Sequence, residues 1–228
     1  MNNRSETESP SDNAQINDRM AQAELIMRLR AEGVRDAKVL SVMEKIPRRL
    51  FLNARHQTQS LRDSALPIEC GQSISAPSVV ALMTSALELT PECRVFELGI
   101  GSGYQAAILA HLSERVFSTE RYKTLIDLAE QRLQTLKINN VTVSQSDGKR
   151  GLPETAPFDR IIVTAACPEV PKDLTDQLKP GGILVLPLGL PGQIQKLTKV
   201  VRRGSHCEQE FLCDVRFVPV RDGIAENL

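Results

Sequence analysis

The sequence predicts a single α/β domain built around a mostly parallel sheet. After Pro91, short apolar runs typical of buried strands alternate with segments of helical periodicity. Strands that alternate with helices in this way are joined by right-handed crossovers and therefore lie parallel. The last two apolar runs, at 194–202 and 209–218, have only a Gly204-Ser205 turn between them. We therefore expect an antiparallel hairpin at one edge of the sheet.

The elements of this core follow one another without an internal repeat or a second independent core. The predicted strands cover residues 94–98, 115–119, 141–145, 159–164 and 182–188. The predicted helices between them cover residues 104–112, 122–136 and 171–178. Residues 91–228 are thus expected to form the part of the domain that binds a cofactor.

The region before this core predicts a helical extension. Residues 1–17 are polar and rich in Ser, Asn and Glu, which favours a disordered tail. Residues 18–228 form the domain, and its first part, 18–90, supplies helices and a loop. Helices are predicted at residues 19–31, at 36–45 and from Pro77 onward, with a loop over residues 51–75.

The composition excludes several classes of protein. The 28 Lys and Arg residues balance 28 Asp and Glu residues, so bulk charge does not hold the chain on nucleic acid or anionic lipid. No apolar stretch approaches the ~20 residues that cross a bilayer, and the N-terminus lacks the apolar core of a secretory signal. The five cysteines form no C-x-x-C pair, which argues against a disulfide framework or a metal site and favours a reducing cytoplasm.

A glycine-rich turn follows the first strand of the core. The strand at 94–98 runs into Gly99, Gly101 and Gly103, and a helix begins at the next residue. Glycine permits a tight turn and lets a ligand approach the backbone closely. The sheet order reverses near the first strand of such folds, which opens a crevice at its carboxyl end. A ligand-binding loop is the interpretation we favour, and a purely structural turn is the alternative.

Two acidic residues narrow the class of ligand. A dinucleotide fingerprint needs a third glycine at position 104, which is Tyr104. Glu97 precedes Gly99 by two residues, and a carboxylate there suits a cationic amine better than a pyrophosphate. Glu120, at the end of the second strand, can accept hydrogen bonds from ribose hydroxyls, as in NAD sites. An amine together with a ribose indicates S-adenosylmethionine.

The dipeptide Asp147-Gly148 follows the third strand at the same edge of the sheet. The carboxylate of Asp147 can accept the amino group of adenine, and Gly148 leaves room for the ring. A plain Asp-Gly turn is the alternative. The place of this dipeptide at a strand end favours the binding role.

The loop at residues 66–77 combines turn formers with hydroxyls. One interpretation makes Ser75 the N-cap of the helix that starts at Pro77. The other makes its hydroxyl a donor to a bound carboxylate. The three histidines lie outside these motifs, so the sequence indicates no Ser-His-Asp or Cys-His arrangement.

These segments resemble the protein-L-isoaspartate O-methyltransferase family. The resemblance extends over residues 20–222 and is most selective in the loop Gly-Gln-Ser-Ile-Ser-Ala-Pro at 71–77. The other matching segments are 65–68, 96–109, 158–166, 178–182 and 215–220. The implied fold is a Rossmann-like S-adenosylmethionine-dependent methyltransferase fold.

The resemblance also implies roles for individual residues. Ser75 becomes the active-site serine, and Gln72, Ser73 and Ile74 belong to the same loop, which faces cofactor and substrate. Asp63, in the loop before it, is a separate candidate for a supporting contact with the substrate. The implied cofactor-binding residues are Glu97, Gly99, Gly101, Ser102, Gly103, Glu120, Asp147 and Gly148. Glu69-Cys70 departs from the family pattern, because many members have glycine or another small residue there.

The implied reaction transfers the methyl group of S-adenosylmethionine to the free α-carboxyl of an L-isoaspartyl residue in a damaged protein or peptide. The products are S-adenosylhomocysteine and a methyl ester that closes to a succinimide. We expect a monomer whose partners are such damaged polypeptides. Three alternatives stay open: a methyltransferase for a small molecule or RNA, a binding module without turnover, and an NAD-dependent oxidoreductase.

Overall fold

The structure, a computed structural model, describes residues 10–225. The helices are α1 (Pro10–Ala31), α2 (Ala37–Lys45), α3 (Pro77–Ala86), α4 (Tyr104–Leu112), α5 (Lys123–Thr135) and α6 (Lys172–Asp176). The strands are β1 (Leu66–Pro67), β2 (Ser73–Ile74), β3 (Arg94–Leu98), β4 (Arg115–Glu120), β5 (Val141–Gln145), β6 (Phe158–Val163), β7 (Leu178–Leu188), β8 (Gln195–Arg203) and β9 (His206–Val215).

Seven of these strands form one sheet in the order β5-β4-β3-β6-β7-β8-β9. The pairings from β5 to β7 are parallel, and β7, β8 and β9 pair antiparallel in succession. The predicted parallel sheet with a C-terminal antiparallel hairpin is therefore confirmed. The order reverses at β3, which has β4 on one side and β6 on the other, so a crevice opens at its carboxyl end.

The core lies on both faces of the central strands. On one face Val95 and Ile162 pack with side chains of α3 and α4. On the other face Phe96 packs with residues of β6 and α6, and its ring stacks on that of Phe158 at 5.4 Å between centroids. The N-terminal helices share this core, since Leu25 of α1 belongs to the same cluster as residues of α4 and α5.

The first helix differs from its prediction. Residues 1–9 of the predicted tail lie outside the described residues, and α1 begins at Pro10 rather than at residue 19. Proline is favoured in the first helical turn, and no further proline or glycine occurs before Gly33. Leu25 and Leu29 are buried and anchor the C-terminal half. Each residue added to an anchored helix forms one more hydrogen bond, so polarity alone does not end it.

Two other boundaries also differ. The loop predicted over residues 51–75 contains two 3-10 turns, Ala54–Gln59 and Glu69–Gly71, and the short antiparallel pair of β1 and β2. Strand β7 begins four residues before its predicted start and shortens the preceding helix. The pairing of β6 with β7 shifts register between Phe158 and Arg160, which keeps the Pro180-Gly181 segment in the sheet as an irregularity.

Within residues 10–225, no helix has both the length and the apolar character needed to cross a membrane.

Candidate active site

A cleft of about 330 Å³ opens at the carboxyl ends of β3, β4 and β6. This is the edge where the sheet order reverses. The residues that line it are Cys70, Gly71, Gln72, Ser73, Leu98, Gly99, Gly101, Thr119, Glu120, Arg121, Tyr122, Ser146, Asp147, Thr164, Ala165, Val218, Pro219, Val220 and Arg221. A second, smaller cavity of about 50 Å³ adjoins it and is bordered by Ser75.

The glycine loop, residues 99–103, forms one wall of the cleft. Gly99 has φ +92°, and a Cβ atom built on it would lie 2.5 Å from Thr164 Oγ1. The Thr164 hydroxyl holds this turn, because it lies 2.7 Å from the carbonyl oxygen of Gly99. Gly103 has φ +89°, and its Cβ would lie 3.1 Å from that of Ala129 on α5. Glycine is therefore required here both by conformation and by close packing.

Ser102 lies within the same loop and is buried. Its hydroxyl oxygen accepts from the backbone N–H of Tyr104 at 3.3 Å, and its carbonyl oxygen accepts from Nη1 of Arg132 at 3.0 Å. Ser102 borders the smaller cavity rather than the main cleft. The side chain thus shapes the start of α4.

Glu120 borders the cleft and fixes the glycine loop. Its Oε2 accepts from the Gly101 N–H at 3.0 Å. Its Oε1 accepts from the N–H groups of Arg121 at 2.8 Å and Tyr122 at 3.2 Å. Each carboxylate oxygen has two lone pairs, so Oε2 retains one acceptor position for a ribose hydroxyl. The contact with the loop is an additional role that sequence spacing did not reveal.

Glu97 lies beneath the loop instead of facing the cleft. Its side chain is fully buried, and the Ser118 hydroxyl donates to Oε2 at 2.7 Å across the β3–β4 pairing. Burial raises the pKa of this carboxyl to about 8, while the Ser118 hydrogen bond opposes the shift. The other oxygen, Oε1, has no hydrogen-bond partner among the described residues. At neutral pH the group is largely a neutral acid, which differs from the expected carboxylate.

Asp147 borders the cleft, as predicted from its strand end. Its Oδ1 accepts from the Lys149 N–H at 3.1 Å, and its Oδ2 accepts from the Gly223 N–H at 2.9 Å. Gly148 serves packing: a Cβ there would lie 2.4 Å from Thr119 Oγ1 and 2.7 Å from Leu98 Cγ. The space that glycine leaves is filled by two strand ends, which corrects the expectation that it leaves room for a ring.

The substrate loop, residues 66–77, forms the opposite wall. Its hairpin pairs Leu66 with Ile74, and Ile74 is buried beneath it. Gln72 and Ser73 border the cleft, and Gln72 Nε2 donates to the Cys70 carbonyl at 3.2 Å. Sequence reasoning placed Gln72, Ser73 and Ile74 on one loop, and the structure brings all three to the two adjoining cavities.

Ser75 is not the N-cap of α3. The cap is Ala76, and its side chain makes no capping hydrogen bond. The acceptor for the first turn is instead Asp63, whose Oδ1 receives the Ser78 N–H at 2.8 Å. The N-cap interpretation of Ser75 is therefore wrong. Asp63 lies outside the residues that line the two cavities, so its observed role is to hold the start of α3.

Arg48 ties the substrate loop to the segment that precedes it and was missed by sequence reasoning. The side chain is fully buried in a 3-10 turn, and its guanidinium donates to three carbonyl oxygens. These belong to Ser60 at 2.6 Å, Ser64 at 3.0 Å and Ser75 at 2.9 Å. Burial lowers the pKa of Arg48 to about 10, although Tyr104 and Asp63 oppose the shift. Two adjacent arginines are typical of an exposed segment, so the sequence offered no signal.

The C-terminal segment, residues 218–225, completes the cleft. It pairs with Ala166, whose N–H donates to the Val218 carbonyl at 2.8 Å. Further along, the Ala225 N–H donates to the Arg121 carbonyl at 3.0 Å. Sequence analysis matched residues 215–220 to the family but assigned them no place in the site.

The reversed sheet order, the glycine loop and the acidic end of β4 together define a class: a Rossmann-like S-adenosylmethionine-dependent methyltransferase. The family model for protein-L-isoaspartate(D-aspartate) O-methyltransferase matches residues 20–225. The chain belongs to that family and is a protein-repair methyltransferase that uses S-adenosylmethionine, as the sequence resemblance implied. The oxidoreductase, other-acceptor and binding-module alternatives are therefore wrong.

Individual relatives agree with this assignment. The protein-L-isoaspartate O-methyltransferase of Parvibaculum lavamentivorans is 51% identical over 90% of this chain and 93% of its own. That of Azorhizobium caulinodans is 48% identical over 92% of this chain and 97% of its own. A solved protein-L-isoaspartate O-methyltransferase superposes with a TM-score of 0.79 at 28% identity, over 87% of this chain and 65% of that chain. A Plasmodium falciparum structure described as the same enzyme, in complex with S-adenosyl-L-homocysteine, superposes with a TM-score of 0.76 at 26% identity. The match covers 87% of this chain and 97% of that chain.

Proposed function

We propose that the main cleft binds S-adenosylmethionine and that the smaller cavity receives the L-isoaspartyl carboxylate of a damaged polypeptide. The observation that supports this is the shared wall of the two cavities. Ser73 of the substrate loop and Gly99 and Gly101 of the glycine loop border both of them. A group bound on one side of this wall lies next to a group bound on the other.

The residues of the cleft fit the cofactor. Gly99 borders the cleft with its backbone, and this position requires glycine because a Cβ there would clash with Thr164. Glu120 has acceptor capacity for the ribose hydroxyls beyond its bonds to the loop. Asp147 borders the same cleft and is our candidate for the adenine amino group. Glu97 lies below and supports β3 against β4.

The chemistry requires positioning more than proton transfer. A carboxylate is already ionised at pH 7, and the cofactor supplies a methyl group activated by its sulfonium. The described histidines, His56, His111 and His206, all lie outside the two cavities, and none is needed as a base. Ser75 orients the attacking carboxylate by donating its hydroxyl hydrogen. The glycine and substrate loops border both cavities and hold the reacting groups in line.

The wider setting of the enzyme follows from the same residues. All five cysteines are free thiols, which supports a reducing cytoplasm. The zero formal net charge supports polypeptide partners over nucleic acid or a membrane surface.

The deciding experiment compares two peptides. Radiolabelled methyl transfer is measured on an isoaspartyl peptide and on its aspartyl twin of the same sequence. We expect label on the isoaspartyl peptide alone. Equal labelling of both peptides, or of neither, contradicts the proposed substrate.

A further inference from the structure

Helix α5 lies against both loops of the active site. Ala129 packs on the glycine loop, where a Cβ at Gly103 would meet it at 3.1 Å. Elsewhere α5 contacts the turn at Glu69–Gly71 in the substrate loop. One rigid helix therefore contacts the two segments that form the opposite walls of the cleft.

Arg132 on α5 stands between these loops. Its Nη1 donates to the Ser102 carbonyl in the glycine loop at 3.0 Å. Its Nη2 lies 3.8 Å from Oε2 of Glu69 in the substrate loop, and the two side chains are only 13% and 29% exposed. Burial lowers the pKa of Arg132, and the nearby Glu69 opposes that shift. The guanidinium thus connects the two walls through one hydrogen bond and one ion pair.

The bond to Glu69 is incomplete in this structure. Oε2 of Glu69 is buried and has no hydrogen-bond partner among the described residues. Its separation from Arg132 is about 1 Å longer than a charge-assisted hydrogen bond, which spans about 2.7–2.9 Å. A small movement of the substrate loop toward α5 would close this gap and satisfy a buried oxygen that is otherwise costly to leave unpaired.

We propose that Arg132 is a positioning residue that couples cofactor binding to closure of the substrate loop through Ser102 and Glu69. A cofactor that orders the glycine loop fixes the guanidinium, and the fixed guanidinium draws Glu69 and the substrate loop inward. Because linkage is reciprocal, the isoaspartyl peptide must raise the affinity of the cofactor by the same factor. This proposal rests on the proposed function, in which the two loops hold the cofactor and the peptide.

A purely structural role for this contact has a different signature. If Arg132 and Glu69 only stabilise the fold, their replacement lowers the melting temperature but leaves the ratio of peptide affinities with and without cofactor product unchanged. Coupling instead changes this ratio. Glu69→Gln is the most selective variant, because it removes the ion pair and leaves the bond from Arg132 to Ser102 in place.

The test is calorimetry of an isoaspartyl peptide on the full chain, with and without saturating S-adenosylhomocysteine. We expect the wild type to bind the peptide at least about fivefold more tightly with S-adenosylhomocysteine, the lower end of common coupling factors. In Glu69→Gln this factor falls close to one, while the affinity for S-adenosylhomocysteine alone stays within about twofold. Arg132→Lys keeps the charge but cannot reach both partners, and it loses the coupling as well.

Asp127→Asn is the matched control, since it removes the exposed ion pair with Lys123 on the same helix. It should retain the full coupling factor. A Glu69→Gln protein that keeps the wild-type factor overturns the proposal. A wild type that methylates the peptide but binds it equally with and without S-adenosylhomocysteine overturns the coupling alone. A wild type that neither methylates nor binds the peptide contradicts the proposed function and the coupling with it.

Discussion

Glu120 accepts a hydrogen bond from the backbone N–H of Gly101 at 3.0 Å. The carboxylate at the end of β4 and the glycine loop after β3 are therefore one unit before any ligand arrives. A residue proposed to bind the ribose also holds the backbone of the proposed cofactor site. Loss of Glu120 should therefore affect cofactor binding through two contacts at once.

Glu120→Ala should weaken the binding of S-adenosylhomocysteine by about 1–3 kcal/mol, the scale of one lost charge-assisted hydrogen bond. The loosened Gly101 amide places the result toward the upper end of that range. Isothermal titration calorimetry measures the effect, with Glu130→Ala on the exposed side of α5 as a control. An affinity equal to that of the wild type would mean that the ribose is held elsewhere.

Ser75→Ala should lower kcat/KM for the isoaspartyl peptide by roughly 10- to 150-fold, which corresponds to about 1.5–3 kcal/mol for a hydrogen bond to a charged group. Because Ala76 is the cap of α3, stability should change by less than about 0.5 kcal/mol. Single-turnover methylation and thermal unfolding on one sample separate the two effects. The control is Ser78→Ala, in the first turn of α3, which should remain active. A Ser75→Ala protein with full activity per folded molecule would remove Ser75 from the reaction.

Arg48→Lys should destabilise the protein strongly. A lysine ammonium cannot reproduce the fork of the guanidinium, so at least one of the carbonyls of Ser60, Ser64 and Ser75 loses its donor. Each buried carbonyl left unpaired costs about 1–3 kcal/mol. Denaturant unfolding measures the loss, with Arg55→Lys at an exposed position as the control. Equal stabilities of the two variants would show that these three bonds contribute little.

Glu97 should make stability depend on pH. Its pKa is raised from 4.5 to about 8 by burial, so between these values the folded state binds more protons than the unfolded state. The contribution of Glu97 to the free energy of unfolding is fully present below about pH 4.5. It falls by about 1.4 kcal/mol per pH unit as the pH rises toward 8. Glu97→Gln, which stays neutral, should lack this term and gain stability relative to the wild type between pH 5 and pH 8, on the order of a few kcal/mol. The free energy of unfolding of both proteins is measured from pH 5 to pH 8. A difference between them that stays constant over this range would contradict a raised pKa.

The parts of the fold that the sequence predicted well are those fixed by local pattern. Strand β3 and helix α4 have the predicted bounds, because a short, mainly apolar strand meets a glycine turn and then a helix of mostly apolar residues. The start of α1 could not be predicted, since a polar helix continues from a buried anchor that only the folded protein supplies.

The site was predictable where a residue acts through its place at a strand end. Glu120 and Asp147 reach the cleft for that reason. Arg48 and Arg132 were not predictable, because each joins segments that are distant in sequence and meet only through tertiary packing. Ser75 shows a third case. The sequence around it allowed either a helix N-cap or a functional hydroxyl. Only the observed start of α3, with Ala76 as its N-cap, excludes the first of these roles.

The buried carboxyl of Glu97 also changes how the whole molecule behaves in an electric field. The formal net charge of zero counts Glu97 as an anion. With a pKa of about 8, the folded protein keeps that proton at pH 7, whereas the unfolded chain releases it. The native protein therefore carries nearly one positive charge more than its composition indicates, and its isoelectric point lies above that of its own denatured chain.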